Sequence, residues 1–163
     1  MITAERLREL FSYDPETGAF TRLVSTGDKV KIGDIAGCIN GAGYWQISID
    51  YKLYLLHRLA VLWMTGRWPI AQVDHVDLER SNNSWVNLRE ATSTQNHANL
   101  PRSRANTSGW KGVYWRKNEK KWAAMIQHNY VRRHLGLFNC PAAAHLVYVI
   151  EANKAFGQFS RAS

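Results

Sequence analysis

The segment LPRSRANTSGW, residues 100–110, constrains the fold more than any other stretch of this chain. It is polar, basic and without apolar periodicity, the pattern of a linker. A chain of 163 residues interrupted there becomes two small parts, and each must bury a core of its own. Apolar residues make up 45 % of the chain, with seven Trp, seven Tyr and five Phe, which suffices for two cores and excludes a disordered composition. The expected organisation is an N-terminal domain over 1–99, a linker over 100–110 and a small module over 111–163.

Short elements are expected on both sides. Thr3 can cap a helix over AERLRELF, and YDPETG breaks it with Pro15 and Gly18 as turn residues. GAFTRLV reads as a strand. IAGCI and YWQISI flank the turn NGAG as a hairpin, and a tight turn at Asp50–Tyr51 leads into KLYLL. HRLAVLWMTG has helical spacing and a stop at Gly66. VDHV reads as a strand and NLREATSTQNHAN as a helix capped by Asn87, with the polar turn DLERSNNSWV between them. Past the linker, GVYWRK, KWAAMIQH and RRHLGLF read as three strands, and Pro141 opens an Ala-rich helix. The fold class is therefore α+β, with β-hairpins preceding a strand–turn–helix site and a C-terminal three-stranded antiparallel sheet carrying one helix.

Several function classes drop out. No apolar run approaches the ~20 residues that span a bilayer, and MITAERLRELF lacks the long apolar stretch of a secretory signal. A soluble, non-secreted protein of the cytoplasm with no membrane partner is expected. Cys38 and Cys140 form no C-x-x-C pair, which excludes a cysteine-built zinc site; buried free thiols are expected. The net charge of +8 is localised: residues 101–134 hold nine basic side chains against the single acid Glu119, and the remainder is neutral. A patch of one sign points to a polyanion, nucleic acid first.

The stretch VDHVDLERSNNSWVNLREATSTQNHAN carries the chemistry. An EF-hand loop is excluded, because no Gly lies between residues 67 and 108 for its sharp turn. The spacing that stands out is Asp74-His75, eleven residues, Asn87, eight residues, Asn96. Phosphodiester hydrolysis needs a group that takes a proton from water near neutral pH, which a neutral His can do. It also needs a hard divalent ion on oxygen donors beside the phosphate, which Asp74 and an amide oxygen of Asn96 can supply. A regular strand turns adjacent residues to opposite faces, so Asp74 and His75 share a direction only where the strand ends or bulges.

With HRLAVLW upstream and NLREAT and QNHAN downstream, this stretch resembles the HNH, or ββα-metal, nucleases of the phage and homing type, in the subclass where Asn replaces the final His. The resemblance covers about residues 1–99. It implies His75 as general base, Asn87 as the residue that ties the loop to the backbone, and Asp74 and Asn96 as ligands of Mg²⁺ or Mn²⁺. The implied products are a 5′-phosphate and a 3′-hydroxyl, and the implied setting is a bacterial or phage-infected cell. His97, one residue beyond Asn96, is a second candidate to complete the site, and His57 a candidate accessory that orients it or touches phosphate.

The segment from NTSGWKGVYW to FGQF resembles the DNA-binding domain of ethylene-response-factor (Apetala-type) transcription factors, through GVYW, KWAAMI, HLGLF and the Ala-rich helix. It implies a sheet in the major groove, with Lys111, Arg116 and Trp122 at matching contact positions and Tyr114, Trp115 and Lys117 close to others. Lys111 stands where that family commonly has Arg, and Met125 where it has Glu, so sequence preference does not carry over. Lys121, Arg132 and Arg133 on the strands, with Arg102 and Arg104 in the linker, add phosphate-neutralising charge. The expected function is a metal-dependent endonuclease that nicks or cuts double-stranded DNA, as monomer or homodimer. The alternatives are a DNA-binding protein with a relic HNH fold and an RNA-binding module.

Overall fold

Thr3 opens the first helix, α1 (Ala4–Leu10), its hydroxyl accepting from the Arg6 N–H at 3.2 Å. The computed structural model describes residues 1–161. The chain divides into two compact units, Met1–Ala91 and Thr92–Ser163.

In the first unit, β1 (Phe11–Tyr13) and β2 (Phe20–Arg22) form an antiparallel hairpin. The Asp14 carboxylate closes its turn by accepting from the Glu16 N–H and the Thr17 hydroxyl. A three-stranded antiparallel sheet follows in the order β3 (Cys38–Ile39), β4 (Trp45–Ile49), β5 (Lys52–Leu55). Helix α2 (Leu56–Thr65) ends at Gly66, whose φ of 73° is the left-handed cap the sequence signalled. Leu7, Phe11, Phe20, Ile47, Leu59 and Leu62 are buried in one core. Each such side chain contributes about 1.5–3 kcal/mol by leaving water. The unit's last two strands, β6 (Gln72–His75) and β7 (Leu88–Ala91), pair antiparallel without a bulge.

β7 corrects the expectation of a helix beginning at Asn87. Asn87 ends a 3-10 turn, Trp85–Asn87, and the chain then runs extended because Leu88 and Ala91 are buried and paired opposite His75 and Gln72. The helix starts later. In the second unit, α3 (Ser93–Asn99) is set by a capping box in which Thr92 and Gln95 satisfy each other's backbone N–H groups.

The second unit continues with the antiparallel sheet β8 (Val113–Arg116), β9 (Lys121–His128) and β10 (Val131–Phe138), in the order β10-β9-β8, and with α4 (Pro141–Phe156). Small residues let helix and sheet approach closely: Ala124 and Ala144 are fully buried beside Val113 and are flanked by Trp122, Leu135 and Phe138. Residues 100–110 are organised by Asn106, whose amide donates to the carbonyls of Trp110 and Val113. The expected burial of the thiols is overturned, since both cysteines are exposed. Cys38 lies on a two-residue edge strand, and Cys140 caps α4, its sulfur accepting from the Ala143 N–H at 3.4 Å. Among the described residues no helix is long and apolar enough to cross a membrane.

Candidate active site

Asp74 and His75 are adjacent on β6, and both are buried, at 4 % and 5 % exposure. The unbroken register pairs Asp74 with Arg89 and His75 with Leu88, and β6 ends at His75. The Asp74 carboxylate accepts at Oδ2 from Arg89 Nε at 2.9 Å and Nη2 at 2.8 Å. A buried, charge-assisted contact of this kind fixes the carboxylate's orientation.

The His75 ring faces other partners. Its Nε2 lies 3.2 Å from Asn83 Oδ1. An amide oxygen accepts only, so in this contact Nε2 is the donor. The His57 ring meets His75 edge-on at a centroid distance of 5.2 Å, and Tyr44 touches both, at 5.2 Å from His57 and 5.9 Å from His75. Arg80 covers the outer side of Tyr44, 5.0 Å from its ring, and donates to the Ala42 carbonyl. His57 is 5 % exposed, and among the described residues its Nδ1 has no hydrogen-bond partner. Burial first, then the neighbouring His75 and Arg58, push its pKa down to about 3. His57 is therefore neutral wherever the protein is folded near neutral pH.

Asn83 owes its position to the far end of the sequence. Its backbone carbonyl accepts from the Tyr13 hydroxyl at 2.7 Å, and the next turn is pinned where Trp85 N–H donates to Pro15 O at 2.8 Å. Gly18 lies so close that a Cβ there would sit 2.1 Å from the Asn83 carbonyl carbon. The loop is held from the other side by Asn87, which is buried, accepts from the Asp77 N–H at 3.0 Å and donates to the Asn82 carbonyl at 2.8 Å. Burial opposes ionisation of Asp77, but hydrogen bonds from Asn82 and Glu79 outweigh it and hold the carboxyl below its usual range.

Asn96 lies on α3, partly exposed, with its backbone N–H on the Thr92 carbonyl. His97 is exposed, its Nδ1 2.7 Å from the Ser93 carbonyl, to which it donates. The Asp74 carboxylate, in the first unit, and the Asn96 amide oxygen, in the second, are each hard oxygen donors. Among the described residues no cluster of three or more His, Cys, Asp or Glu could cage an ion.

The second unit carries the positive charge, with eleven basic residues against Glu119 and Glu151 in residues 92–163. Tyr114, Trp115, Lys117, Lys121, Arg132, Arg102 and Arg104 are exposed. Trp122 is half-buried, with Trp115 meeting its ring edge-on at 5.0 Å. Arg116 pairs with Glu119 at 2.7 Å, and Arg133 pairs with Glu151. Lys111 differs from the rest: its ammonium donates to the carbonyls of Ala98, Leu100 and Arg161, inside the unit.

The sequence marks Asn83 and Gly18 as turn residues and gives no role to Tyr44, Tyr13, Arg80 or Arg89. Arg89 had a signal in the strand pairing, since a residue opposite Asp74 on an antiparallel neighbour is its natural ion partner. Tyr13, Gly18 and Tyr44 come from parts of the chain about 30 to 70 positions away, and only the fold brings them to the loop that carries Arg80.

A family model described as HNH endonuclease matches residues 54–98, which include Asp74, His75, Asn87 and Asn96. Protein 3.8 of Escherichia phage T7 is 33 % identical over 82 residues, covering 45 % of this chain and 68 % of that protein. An HNH endonuclease of Acanthamoeba polyphaga mimivirus, described as uncharacterised, is 31 % identical over 123 residues, covering 74 % of this chain and 63 % of that protein. A solved structure of the HNH homing endonuclease I-HmuI, described as binding and cleaving DNA, is 22 % identical with a TM-score of 0.42, covering 83 % of this chain and 75 % of the other. With the Asp-His pair at the end of one strand, the Asn that ties its loop, and the family model spanning both, the chain belongs to the HNH endonuclease family.

Proposed function

We propose that this protein is a metal-dependent endonuclease that hydrolyses phosphodiester bonds of double-stranded DNA, with His75 as the general base. The observation that carries this reading is the buried His75 ring, held at Nε2 by Asn83 Oδ1 and directly following Asp74. In this reading the imidazole of His75, donating from Nε2 to Asn83, receives the proton of an attacking water. The Asn83 amide oxygen holds the ring in orientation as it becomes imidazolium. Neutral His57 and the Tyr44 ring enclose the imidazole without bringing a competing charge to it. Asn87 braces the loop that carries Asn83.

Asp74, oriented by Arg89, and Asn96 would hold Mg²⁺ or Mn²⁺. When bound, such an ion stabilises charge on the phosphate and on the leaving oxygen. One carboxylate and one neutral amide leave most of the ion's charge available to an anionic phosphate. The products are a 5′-phosphate and a 3′-hydroxyl, as the HNH resemblance implies.

In this reading residues 1–99 cut and residues 111–163, resembling an Apetala-type domain, hold the duplex. Tyr114, Trp115, Arg116, Lys117, Lys121, Trp122, Arg132 and Arg133, with Arg102 and Arg104, contact it. Lys111 has a different part, because its ammonium is already bonded to three carbonyls. The test is the conversion of supercoiled plasmid to nicked circle. Activity in Mg²⁺ that stops with EDTA, and in Asp74→Ala and Asn96→Ala, is expected. Salt-sensitive binding with no nicking under any divalent ion would make the chain a non-catalytic DNA-binding protein. Preference for single-stranded RNA over duplex DNA would make it an RNA-binding module.

A further inference from the structure

Two hairpin tips carry a residue their backbone disfavours. At Asp50–Tyr51, between β4 and β5, φ is 49° and 61°; at Asn129–Tyr130, between β9 and β10, it is 49° and 65°. Two left-handed residues in succession make the tight hairpin turn that suits Asn-Gly, because only Gly enters that region without strain at the second position. In both tips the second position is Tyr, and its ring is not used for packing: Tyr51 is 106 % exposed and Tyr130 83 %. A strained backbone that presents a large ring to solvent gains nothing for the fold.

Tyr130 has surroundings that suggest a partner. It belongs to the unit that holds eleven basic and two acidic residues, and exposed Arg132 stands two positions on. Tyr130 lines a cleft of about 420 Å³ together with Arg102, Gln127, Met125 and Tyr148. That volume lies in the range of clefts that take small molecules, roughly 300–1,000 Å³. The lining combines apolar walls with a guanidinium and an amide, groups that can hydrogen-bond the edge of a base.

We infer that Tyr130 and the cleft beside it receive a nucleobase that has left the helical stack, the ring packing on the base and Arg132 neutralising the strand. This rests on the proposed DNA-binding role of the second unit and adds to it a contact with a base face. Aromatic stacking tolerates any base, and an extra-helical base has already met the cost of unstacking. The protein therefore prefers a duplex with a single-nucleotide bulge over the same duplex fully paired.

The experiment measures binding of the full chain to both duplexes by fluorescence anisotropy across a salt series. The bulged duplex is expected to bind about tenfold more tightly, as loss of one stacked base would predict. Tyr130→Phe keeps that preference. Tyr130→Asn and Tyr130→Gly abolish it, leave the salt slope unchanged because no phosphate contact is lost, and raise the melting temperature by relieving the left-handed strain. Wild-type binding without a preference, or a preference that survives in Tyr130→Asn and Tyr130→Gly, overturns the inference and leaves DNA binding standing. No binding to either duplex overturns the DNA-binding reading itself, and this inference with it.

Discussion

Gly18→Ala reaches His75 without touching it. Gly18 has φ +75°, where an L side chain costs about 1–2 kcal/mol. The new Cβ would also lie 2.1 Å from the Asn83 carbonyl carbon, 2.4 Å from the Ser84 nitrogen and 2.5 Å from the Asn83 oxygen, all of them backbone atoms that cannot rotate away. Restoring van der Waals separation moves one backbone against the other by about 1 Å, and overpacking of that kind adds about 1–3 kcal/mol. The expected loss of stability is thus about 2–5 kcal/mol in the first unit. The segment displaced is the one whose side chain holds Nε2 of His75, and a shift of about 1 Å in a catalytic group can cost about a hundredfold in rate. The assay pairs urea denaturation with single-turnover plasmid nicking, run where the variant remains folded. The control is Leu7→Ala, a core truncation of similar cost, about 2–5 kcal/mol, away from the Asn83 loop. We expect Gly18→Ala to nick about 30- to 100-fold more slowly than this control, with DNA affinity unchanged. Nicking within twofold of Leu7→Ala would refute the proposed coupling of the N-terminal hairpin to His75.

Tyr13→Phe leaves the buried Asn83 carbonyl short of a donor and should cost about 1–3 kcal/mol in denaturation. Burial, and then the nearby Asp14, raise the Tyr13 pKa above its ordinary value of 10.0, so the folded state holds this proton longer than the unfolded chain does. Stability contributed there is complete below pH 10 and falls as pH rises further, and Tyr13→Phe should flatten that limb of the stability profile. His57 runs the other way. Its folded pKa of about 3 lies below the ordinary 6.5, so its contribution is complete above pH 6.5 and is lost as the pH falls toward 3; His57→Gln should lose less stability than wild type across that window. Lys111→Met removes donors from three carbonyls and should lower the stability of the second unit by about 2 kcal/mol, yet leave the salt slope of DNA binding intact. Arg132→Ala, by contrast, should reduce that slope by about 0.9.

The sequence carried the local rules of this fold well. Thr3, Gly66 and Pro141 mark helix ends by their own chemistry, and alternation with turn dipeptides places the strands of both three-stranded sheets. It failed at Asn87–Ala91, where a helical reading of NLREAT competed with pairing to β6, a non-local contact that periodicity does not encode. The same limit separates the parts of the candidate site. Asp74, His75, Asn87 and Asn96 were legible because their spacing along one stretch is itself the signal. Apart from His57, the support of His75 was not, because Tyr13, Gly18 and Tyr44 reach it only after three sheets and two helices have folded. Lys111 shows a further gap: charge is visible in a sequence, but whether an ammonium meets a phosphate or three carbonyls of its own unit depends on the chain's path.

The most direct test of the account is plasmid nicking by His75→Ala in Mg²⁺, with folding checked by denaturation and DNA affinity measured alongside. Loss of the general base, with its surroundings and the second unit intact, should remove about 10²–10⁴-fold of the nicking rate while affinity stays at the wild-type level. A His75→Ala protein that nicks at the wild-type rate would contradict the assignment of His75 and, with it, the mechanism proposed for this chain.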